Sequence, residues 1–289
     1  MKTPTLGNPQ NTIEILQKYN FNFQKKFGQN FLIDEHVLGK IIRSAEITED
    51  DFVIEIGPGI GTLTQQLALR AEKVTSVELD QRLLPILEET VGEFDNLHIL
   101  HGDILQFDVP QLLEQEFPGM HVAVCANLPY YITSPVIMKL LEENLPVKAV
   151  TVMVQKEAAQ RLCAAPGTRD AGAISYAVAY YAEPKLLFSV QPGSFYPAPK
   201  VTSAVIRLDV REKPAVQVPN GDEAAFFALI RAAFSQRRKT AANAIANGLH
   251  LPKAQVIAAL QAANLDERAR PEQLTLEDYC ALQTAMMQE

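Results

Sequence analysis

The chain has 289 residues, of which 47% are hydrophobic, and a formal net charge of −8. This length predicts one large domain and one small one rather than a single compact domain. The three cysteines and five histidines are scattered, so we expect neither a disulfide framework nor a metal centre, and a cytoplasmic location. We also expect no signal peptide and no membrane span, because no apolar run reaches about 18 residues. No apolar stripe stands out, which favours a monomer.

The predicted elements alternate between strands and helices through most of the chain. Helices are predicted around 12–19 and over 34–45, before the first strand. Strands are then predicted at 52–56, 73–77, 97–100, 121–126, 149–154, 185–190 and 204–208. Helices fit between the first six strands, whereas the last two lack a crossover helix and are candidates for antiparallel pairing. The order predicts an α/β fold with a mostly parallel seven-stranded sheet of the Rossmann-like type.

A change of pattern near residue 211 predicts a domain boundary. Residues 211–221 carry two prolines and little periodicity, as is typical of a linker. Beyond them Ala, Leu and Gln recur at helical spacing, which predicts about four helices and no strand. We therefore expect a first domain at 1–211 and a small all-helical domain at 212–289.

The first predicted strand runs directly into a glycine-rich turn, Gly57-Pro58-Gly59-Ile60-Gly61. Glycines between a strand and a helix allow a ligand to approach the backbone closely. A dinucleotide-binding fingerprint would need its third glycine at position 62, where the chain has Thr62. The spacing therefore favours S-adenosyl-L-methionine over a nicotinamide cofactor, although a purely structural turn and a nicotinamide-dependent oxidoreductase remain as alternatives.

Polar residues recur where successive predicted strands end. Glu55, Glu78, Asp103 and Asn127 are separated by 23, 25 and 24 residues. Ligands of open α/β sheets bind at the carboxyl ends of the strands. We expect Glu78 to accept the ribose hydroxyls of the cofactor and Asp103 to accept its adenine amine, with a turn cap as the alternative for Asp103. Glu55 is expected to organise the glycine turn.

The most specific motif is Asn127-Leu128-Pro129-Tyr130, at the end of the fourth predicted strand. An amine on an aromatic ring is a weak nucleophile because its lone pair is delocalised. The Asn127 amide oxygen and a backbone carbonyl near Leu128 are suited to accept its two N–H bonds, and Pro129 stiffens that turn. Tyr130 offers an aromatic face to a base swung out of its helix. The motif predicts methylation of an exocyclic amine without a metal.

Two basic clusters stand against the acidic background of the chain. The candidate RNA-binding residues are Lys25, Lys26, Arg231, Arg237, Arg238 and Lys239. Such clusters neutralise phosphates. A solvated helix face is the alternative interpretation.

With these residues the chain resembles the ribosomal RNA adenine N6,N6-dimethyltransferases, and most closely the bacterial small-subunit (16S) type. The resemblance extends from about Phe23 to Leu249. Its motifs are Gln29-Asn30-Phe31-Leu32, Glu55-Ile56-Gly57-Pro58-Gly59-Ile60-Gly61, Asn127-Leu128-Pro129-Tyr130, Phe195-Tyr196-Pro197-Ala198-Pro199-Lys200-Val201 and Phe234-Ser235-Gln236-Arg237-Arg238-Lys239.

The resemblance implies that Asn30 and Leu32 help to hold the cofactor, joining Gly57, Glu78, Asp103 and Asn127. Gly59 and Gly61 of the same turn are expected to bind it as well. Spacing alone would make Asn30 a capping or turn residue. It implies that Phe195 closes the target pocket opposite Tyr130, and that the helical domain engages RNA. The implied product is two adjacent dimethylated adenines in a hairpin loop near the 3′ end of small-subunit rRNA, and the implied partner is the small ribosomal subunit.

Two other functions remain open at this point. A large-subunit rRNA methyltransferase of the macrolide-resistance type would share the chemistry, but such enzymes are usually more basic and tend to differ from Leu128 at the second motif position. An RNA-binding assembly factor with secondary methylation is the alternative of a different class. If a catalytically dead variant still supported subunit maturation, the chain would be an assembly factor of this kind.

Overall fold

The computed structural model describes residues 5–24, 28–143, 145–236 and 238–288. The chain forms two compact units. The first comprises Met1–Ala159 and Lys185–Val210, and the second comprises Gln160–Pro184 and Arg211–Glu289. The sequence predicts a single division after residue 211, so residues 160–184 lie in a different unit from the predicted one.

Strands are confined to the part of the chain before residue 211 within the described ranges. They are β1 (Phe31–Leu32), β2 (Phe52–Ile56), β3 (Lys73–Glu78), β4 (Leu97–His101), β5 (Val122–Asn127), β6 (Val147–Gln155), β7 (Ala182–Val190), β8 (Phe195–Tyr196) and β9 (Ser203–Val210). Seven of them form one sheet in the order β4-β3-β2-β5-β6-β9-β7. The five strands from β4 to β6 pair in parallel, and β9 is antiparallel to β6. The predicted mostly parallel seven-stranded sheet is confirmed.

Helices precede β2 and connect the parallel strands of the first unit. They are α1 (Pro9–Lys18), α2 (Glu35–Ala45), α3 (Thr62–Ala68), α4 (Leu84–Val91), α5 (Val109–Glu116) and α6 (Thr133–Glu142). α2 begins after Asp34, which caps it: the Asp34 carboxylate accepts the backbone N–H groups of His36 and Val37. The central strands are buried because helices cover the sheet, and β2, β5 and β6 accordingly read as apolar runs.

The strand order reverses between β2 and β5. From β2 the chain proceeds outward through β3 to β4, and then returns to place β5 on the other side of β2. A crevice opens at such a reversal, at the carboxyl ends of the strands. The glycine turn that starts at Gly57 and the residue Asn127 lie at these two ends, so the topology brings the two principal motifs together.

A two-stranded sheet joins two motifs that lie far apart in the sequence. β1 pairs antiparallel with β8, with Phe31 opposite Tyr196 and Leu32 opposite Phe195. Next to this ladder the Ser194 hydroxyl donates to the Asp34 carboxylate at 2.8 Å. The sequence does not predict these strands, because two-residue strands carry no periodicity of their own.

The second unit is helical in its described residues. α7 (Lys156–Leu162) leads into it, and it contains α8 (Ala173–Tyr181), α9 (Glu223–Ala233), α10 (Ala241–Gly248), α11 (Lys253–Ala262) and α12 (Leu276–Gln288). Residues 160–184 belong here because the α8 aromatic rings are buried within it. The Tyr176 ring lies 5.3 Å from both Phe234 and Tyr279, and its hydroxyl donates to the Leu274 carbonyl. Within the described ranges, no helix has the length and apolar character required to cross a membrane.

Candidate active site

The turn after β2 carries three glycines in the left-handed backbone region, Gly57, Gly59 and Gly61, with φ of 71°, 64° and 92°. Only glycine adopts this region without steric cost. A Cβ at Gly59 would lie 2.9 Å from the ring of Phe31, so this glycine lets β1 approach the turn closely. A Cβ at Gly57 would meet no atom within 4 Å. Gly57 therefore borders open space and leaves room for a ligand beside the backbone.

A cleft of about 980 Å³, its open mouth included, lies at the carboxyl ends of the central strands. The predicted site residues that line it are Asn30, Leu32, Gly57, Gly59, Glu78, Asp103, Asn127, Leu128, Pro129 and Tyr130. Gly61 and Phe195 are absent from its wall. A Cβ at Gly61 would instead lie 2.9 Å from Val91, so this glycine permits close packing of α4.

Glu78 ends β3, and both of its carboxylate oxygens are held by backbone hydrogen bonds. Its two oxygens accept the backbone N–H groups of Gly59 at 3.1 Å and of Asp80 at 2.7 Å. Burial raises its pKa to about 7, against the opposing effect of these two hydrogen bonds. Each carboxylate oxygen can accept a second hydrogen bond. Glu78 is therefore held in one orientation with spare acceptor capacity toward the cleft.

The other two cleft carboxylates, Glu55 and Asp103, form hydrogen bonds that stabilise the protein's own turns and strands. Glu55 is 1% exposed, accepts the Ser76 hydroxyl at 2.7 Å, and has a pKa raised to about 7 by burial. This placement suits a residue that organises the turn rather than one that contacts a ligand. Asp103 lines the cleft, and its Oδ1 accepts the Leu105 N–H at 3.0 Å. Asp103 thus caps a turn with one oxygen while its position leaves it available to a ligand.

Asn127 is oriented by the backbone of a distant segment. Its side-chain nitrogen donates to the Asn30 carbonyl at 3.2 Å, across 97 residues of sequence. Asn30 in turn donates from its own side chain to the Gly28 carbonyl at 3.0 Å, where Gly28 has φ of 57°. Because the amide nitrogen is engaged, the amide oxygen of Asn127 is the atom free to accept a hydrogen bond from a ligand in the cleft.

The rest of the motif builds a rigid turn after β5. The Leu128 N–H donates to the Met153 carbonyl of β6 at 3.1 Å. The Pro129 carbonyl already accepts the Ile132 N–H at 3.2 Å, so the Leu128 carbonyl is the better candidate for a second ligand acceptor. Tyr130 lines the cleft, and its hydroxyl lies 2.7 Å from the Ser203 hydroxyl. That bond holds the hydroxyl end of the Tyr130 side chain in place.

Phe195 is buried and is not among the residues that line the cleft. It is 3% exposed and packs in a hydrophobic cluster with Leu32, Met153 and Val205. Its strand pairing with Leu32 turns the ring into this core instead of the cleft. Phe195 therefore packs against Leu32, which itself lines the cleft. A role for the Phe195 ring in closing the target pocket opposite Tyr130 stays a prediction. Its neighbour Tyr196 is the exposed member of β8.

Three of the six predicted RNA-binding residues can be located. Lys25, Lys26 and Arg237 lie outside the described residues. Arg231 is exposed in the last turn of α9, and Arg238 and Lys239 are exposed between α9 and α10. Among the described side chains, none of these three forms an ion pair. Their charges are therefore available to a phosphate.

Comparison with known proteins decides the family. A family model described as ribosomal RNA adenine dimethylase matches residues 20–287, which is most of the chain. The chain belongs to this family. The predicted enzyme class is thereby confirmed, and an enzyme of this class needs a methyl donor.

The chain is similar to known proteins over nearly its whole length. It is 50% identical over 278 residues to "Ribosomal RNA small subunit methyltransferase A" of Alkaliphilus oremlandii, and 51% identical over 280 residues to the protein of that name from Lachnoclostridium phytofermentans, with 96% of each chain covered in both cases. A dimethyladenosine transferase structure from Plasmodium falciparum matches with a TM-score of 0.72 and 27% identity, covering 89% of this chain and 98% of that one.

A large-subunit enzyme has a similar structure. The 23S rRNA methyltransferase ErmE matches with a TM-score of 0.67 and 26% identity, covering 89% of this chain and all of that one. An enzyme whose name refers to large-subunit rRNA therefore shares this architecture. The chain is 50% and 51% identical to the two small-subunit methyltransferases but 26% identical to ErmE.

Tyr131 and Gln29 are among the cleft residues that sequence reasoning did not select as site residues. Tyr131 is 53% exposed at the cleft, with a pKa raised by burial and by the charges of Asp103 and Glu78. Gln29 also lines the cleft and donates to the Asp80 carboxylate at 2.7 Å. Tyr131 directly follows the motif that ends at Tyr130, and Gln29 is the first residue of the motif that ends at Leu32. Those positions were the available signal. In the part of the chain that the structure describes, no three His, Cys, Asp or Glu side chains are grouped to hold a metal ion.

Proposed function

We propose that this chain dimethylates N6 of two adjacent adenines in a hairpin loop near the 3′ end of small-subunit (16S) rRNA, with S-adenosyl-L-methionine as methyl donor, during subunit assembly in the cytoplasm. The observation that carries the proposal is the oriented amide of Asn127. Its oxygen is available in the same cleft as the Gly57 turn and Glu78. The identity to small-subunit methyltransferases supports the choice of rRNA.

The cleft residues fit S-adenosyl-L-methionine. The empty space beside Gly57 accommodates a group in contact with the backbone. Glu78 offers two oriented oxygens, which match the two hydroxyls of a ribose, and Asp103 offers an acceptor for an adenine amine. When bound, this cofactor supplies a methyl group made electrophilic by its sulfonium.

The protein's contribution to the reaction is to orient the adenine amine. In a free adenine the lone pair of the exocyclic nitrogen is delocalised into the ring. Acceptance of its two N–H bonds by the Asn127 amide oxygen and the Leu128 carbonyl favours a tetrahedral nitrogen with a localised lone pair. The Tyr130 side chain, anchored at its hydroxyl by Ser203, offers its ring to stack on the extruded base. The alkylated amine is acidic enough to lose its proton to water, so no strong protein base is needed.

The direct test is transfer of labelled methyl groups from S-adenosyl-L-methionine to immature small ribosomal subunits, followed by mapping of the modified bases. We expect two adjacent N6,N6-dimethyladenines near the 3′ end of the small-subunit rRNA, and their absence in cells lacking the protein. Methylation of large-subunit rRNA alone would overturn the assignment in favour of the ErmE-like activity. Full subunit maturation by a protein that never methylates would favour the assembly-factor function.

The exposed basic residues between α9 and α10 are proposed to contact rRNA phosphates. We expect the double variant Arg238→Ala, Lys239→Ala to weaken RNA association and to reduce the salt-dependence slope by about 2, since each phosphate contact contributes about 0.9. Binding measured over a range of salt concentrations gives this slope. The matched control is Arg268→Ala with Lys253→Ala, two exposed cations elsewhere in the second unit. An unchanged slope in the first variant would leave these residues as an ordinary solvated surface.

A further inference from the structure

Four aromatic rings of the first unit form a continuous cluster that is only partly buried. Phe21, Phe23 and Phe31 lie with ring centroids 5.5–5.9 Å apart, and Phe23 lies 5.7 Å from Tyr196. Phe23 is 36% and Tyr196 is 37% exposed. We call the exposed pair, Phe23 and Tyr196, the aromatic shelf. A cluster whose only role was packing would be expected to bury these two large rings.

A groove beside the aromatic shelf has the character of a site for a base. Its volume is about 650 Å³ with its open mouth included. Besides the apolar residues, its described wall contains three amide side chains, those of Gln17, Asn20 and Asn22, and no acid. Amides provide both hydrogen-bond donors and acceptors, which any nucleobase edge can use. In a chain with a net charge of −8, an acid-free wall of this kind suits a polyanion.

The groove segment is also anchored by a nearby cation, Arg82. The Arg82 guanidinium lies 4.9 Å from the centre of the Phe21 ring and donates to the Asn22 carbonyl at 2.9 Å. The same side chain is paired with the Asp80 carboxylate. Arg82 therefore holds the groove segment against the first unit, which lowers the entropy that a ligand would lose on binding.

The aromatic shelf is continuous with the candidate active site. Tyr196 is paired in register with Phe31, and the Phe31 ring lies against Gly59 and contributes to the wall of the cleft. One residue thus has its strand partner on the aromatic shelf and its ring at the active-site cleft. A nucleotide strand whose target base enters the cleft has its neighbouring bases within reach of this surface.

We propose that the aromatic shelf binds one unpaired nucleobase of the RNA substrate that neighbours the target adenine, stacked on Phe23 and Tyr196 and bonded at its edge by the groove amides. This inference rests on the proposed function, because it presupposes an RNA substrate at the cleft. Stacking on aromatic side chains accepts any base. The aromatic shelf therefore contributes affinity and strand position, whereas the cleft selects adenine.

The test compares Phe23→Ala and Tyr196→Ala with Tyr196→Phe, which keeps the ring, and with Leu69→Ala, which removes an exposed apolar side chain elsewhere in the first unit. Binding and methylation of protein-free rRNA hairpins are measured with each variant. We expect each shelf alanine to raise the KM for RNA on the order of tenfold, with unchanged cofactor affinity. Because these rings also pack on their neighbours, the thermal midpoint should fall, and a cooperative unfolding transition above the assay temperature shows that each variant is folded. Tyr196→Phe and Leu69→Ala should resemble the parent protein. Ultraviolet cross-linking should join Phe23 or Tyr196 to a base beside the target.

Three outcomes would overturn the proposal. If Tyr196→Ala and Leu69→Ala had the same RNA affinity, the aromatic shelf would have no role in RNA binding. A defect seen only with intact subunits, and not with protein-free hairpins, would assign the surface to a ribosomal protein. Cross-links confined to other residues would show that no base of the substrate lies on the aromatic shelf. In each case the parent protein is also assayed for adenine methylation. If it methylates adenine, the proposed function stands and only the aromatic shelf is refuted. If it does not, the proposed function itself is refuted.

Discussion

Asn127→Ala is expected to lower kcat for methyl transfer by at least about 100-fold, the cost typical of losing one hydrogen-bonding group that acts in the transition state. The physical reason is that the amide oxygen localises the lone pair of the adenine nitrogen. Alanine leaves that nitrogen planar and unreactive even when it is correctly bound. Single-turnover kinetics with rRNA and labelled S-adenosyl-L-methionine measure this step. Cofactor affinity, measured by calorimetry, should fall less than tenfold.

The control for Asn127→Ala is Asn11→Ala. Asn11 likewise donates its side-chain nitrogen to a backbone carbonyl, that of Thr5 at 3.0 Å, but it lies away from the cleft wall. Its loss should leave kcat unchanged. Asn127→Asp adds a second comparison, because aspartate keeps an acceptor oxygen but cannot donate to the Asn30 carbonyl. We expect it to be severely impaired. If Asn127→Ala retained full activity, the catalytic role of this residue would be wrong.

Glu78→Gln is expected to weaken S-adenosyl-L-methionine binding about 10- to 100-fold at pH 8, the range for losing hydrogen bonds to a charged group. The amide nitrogen of glutamine must face one of the two backbone donors that Glu78 accepts, Gly59 or Asp80. One acceptor for a ribose hydroxyl is then lost. Equilibrium binding of the cofactor measures the effect, and Glu114→Gln, at an exposed position on α5, is the matched control.

The same residue predicts a pH dependence of cofactor affinity. Burial raises the pKa of Glu78 to about 7, so the carboxyl is largely protonated in the free protein at pH 6. Ribose hydroxyls donate to the ionised form, and binding below pH 7 must therefore release a proton. Affinity should be constant above about pH 8 and should fall up to tenfold per unit below pH 7. Glu78→Gln should lack this dependence; an identical profile in both proteins would exclude Glu78 as its origin.

Local sequence patterns were sufficient for most of the first unit. Alternation of apolar strands with amphipathic helices predicts the parallel sheet, because each βα unit carries its own periodicity and caps. The regular spacing of Glu78, Asp103 and Asn127 predicts a shared cleft, since carboxyl ends of parallel strands meet at one edge. The glycines and the Asn127 motif required no knowledge of distant contacts, and their residues line the cleft as predicted, apart from Gly61.

The amino-acid sequence by itself determined the sheet, the glycine turn and the end of β5, because these depend on periodicity and backbone chemistry within short segments. The tertiary structure alone decided three other features. It paired Phe31 with Tyr196 and turned Phe195 into the core; it assigned residues 160–184 to the helical unit; and it oriented Asn127 through the Asn30 carbonyl. Each depends on contacts between segments far apart in the chain, where side-chain packing selects the partner and local propensity carries no information.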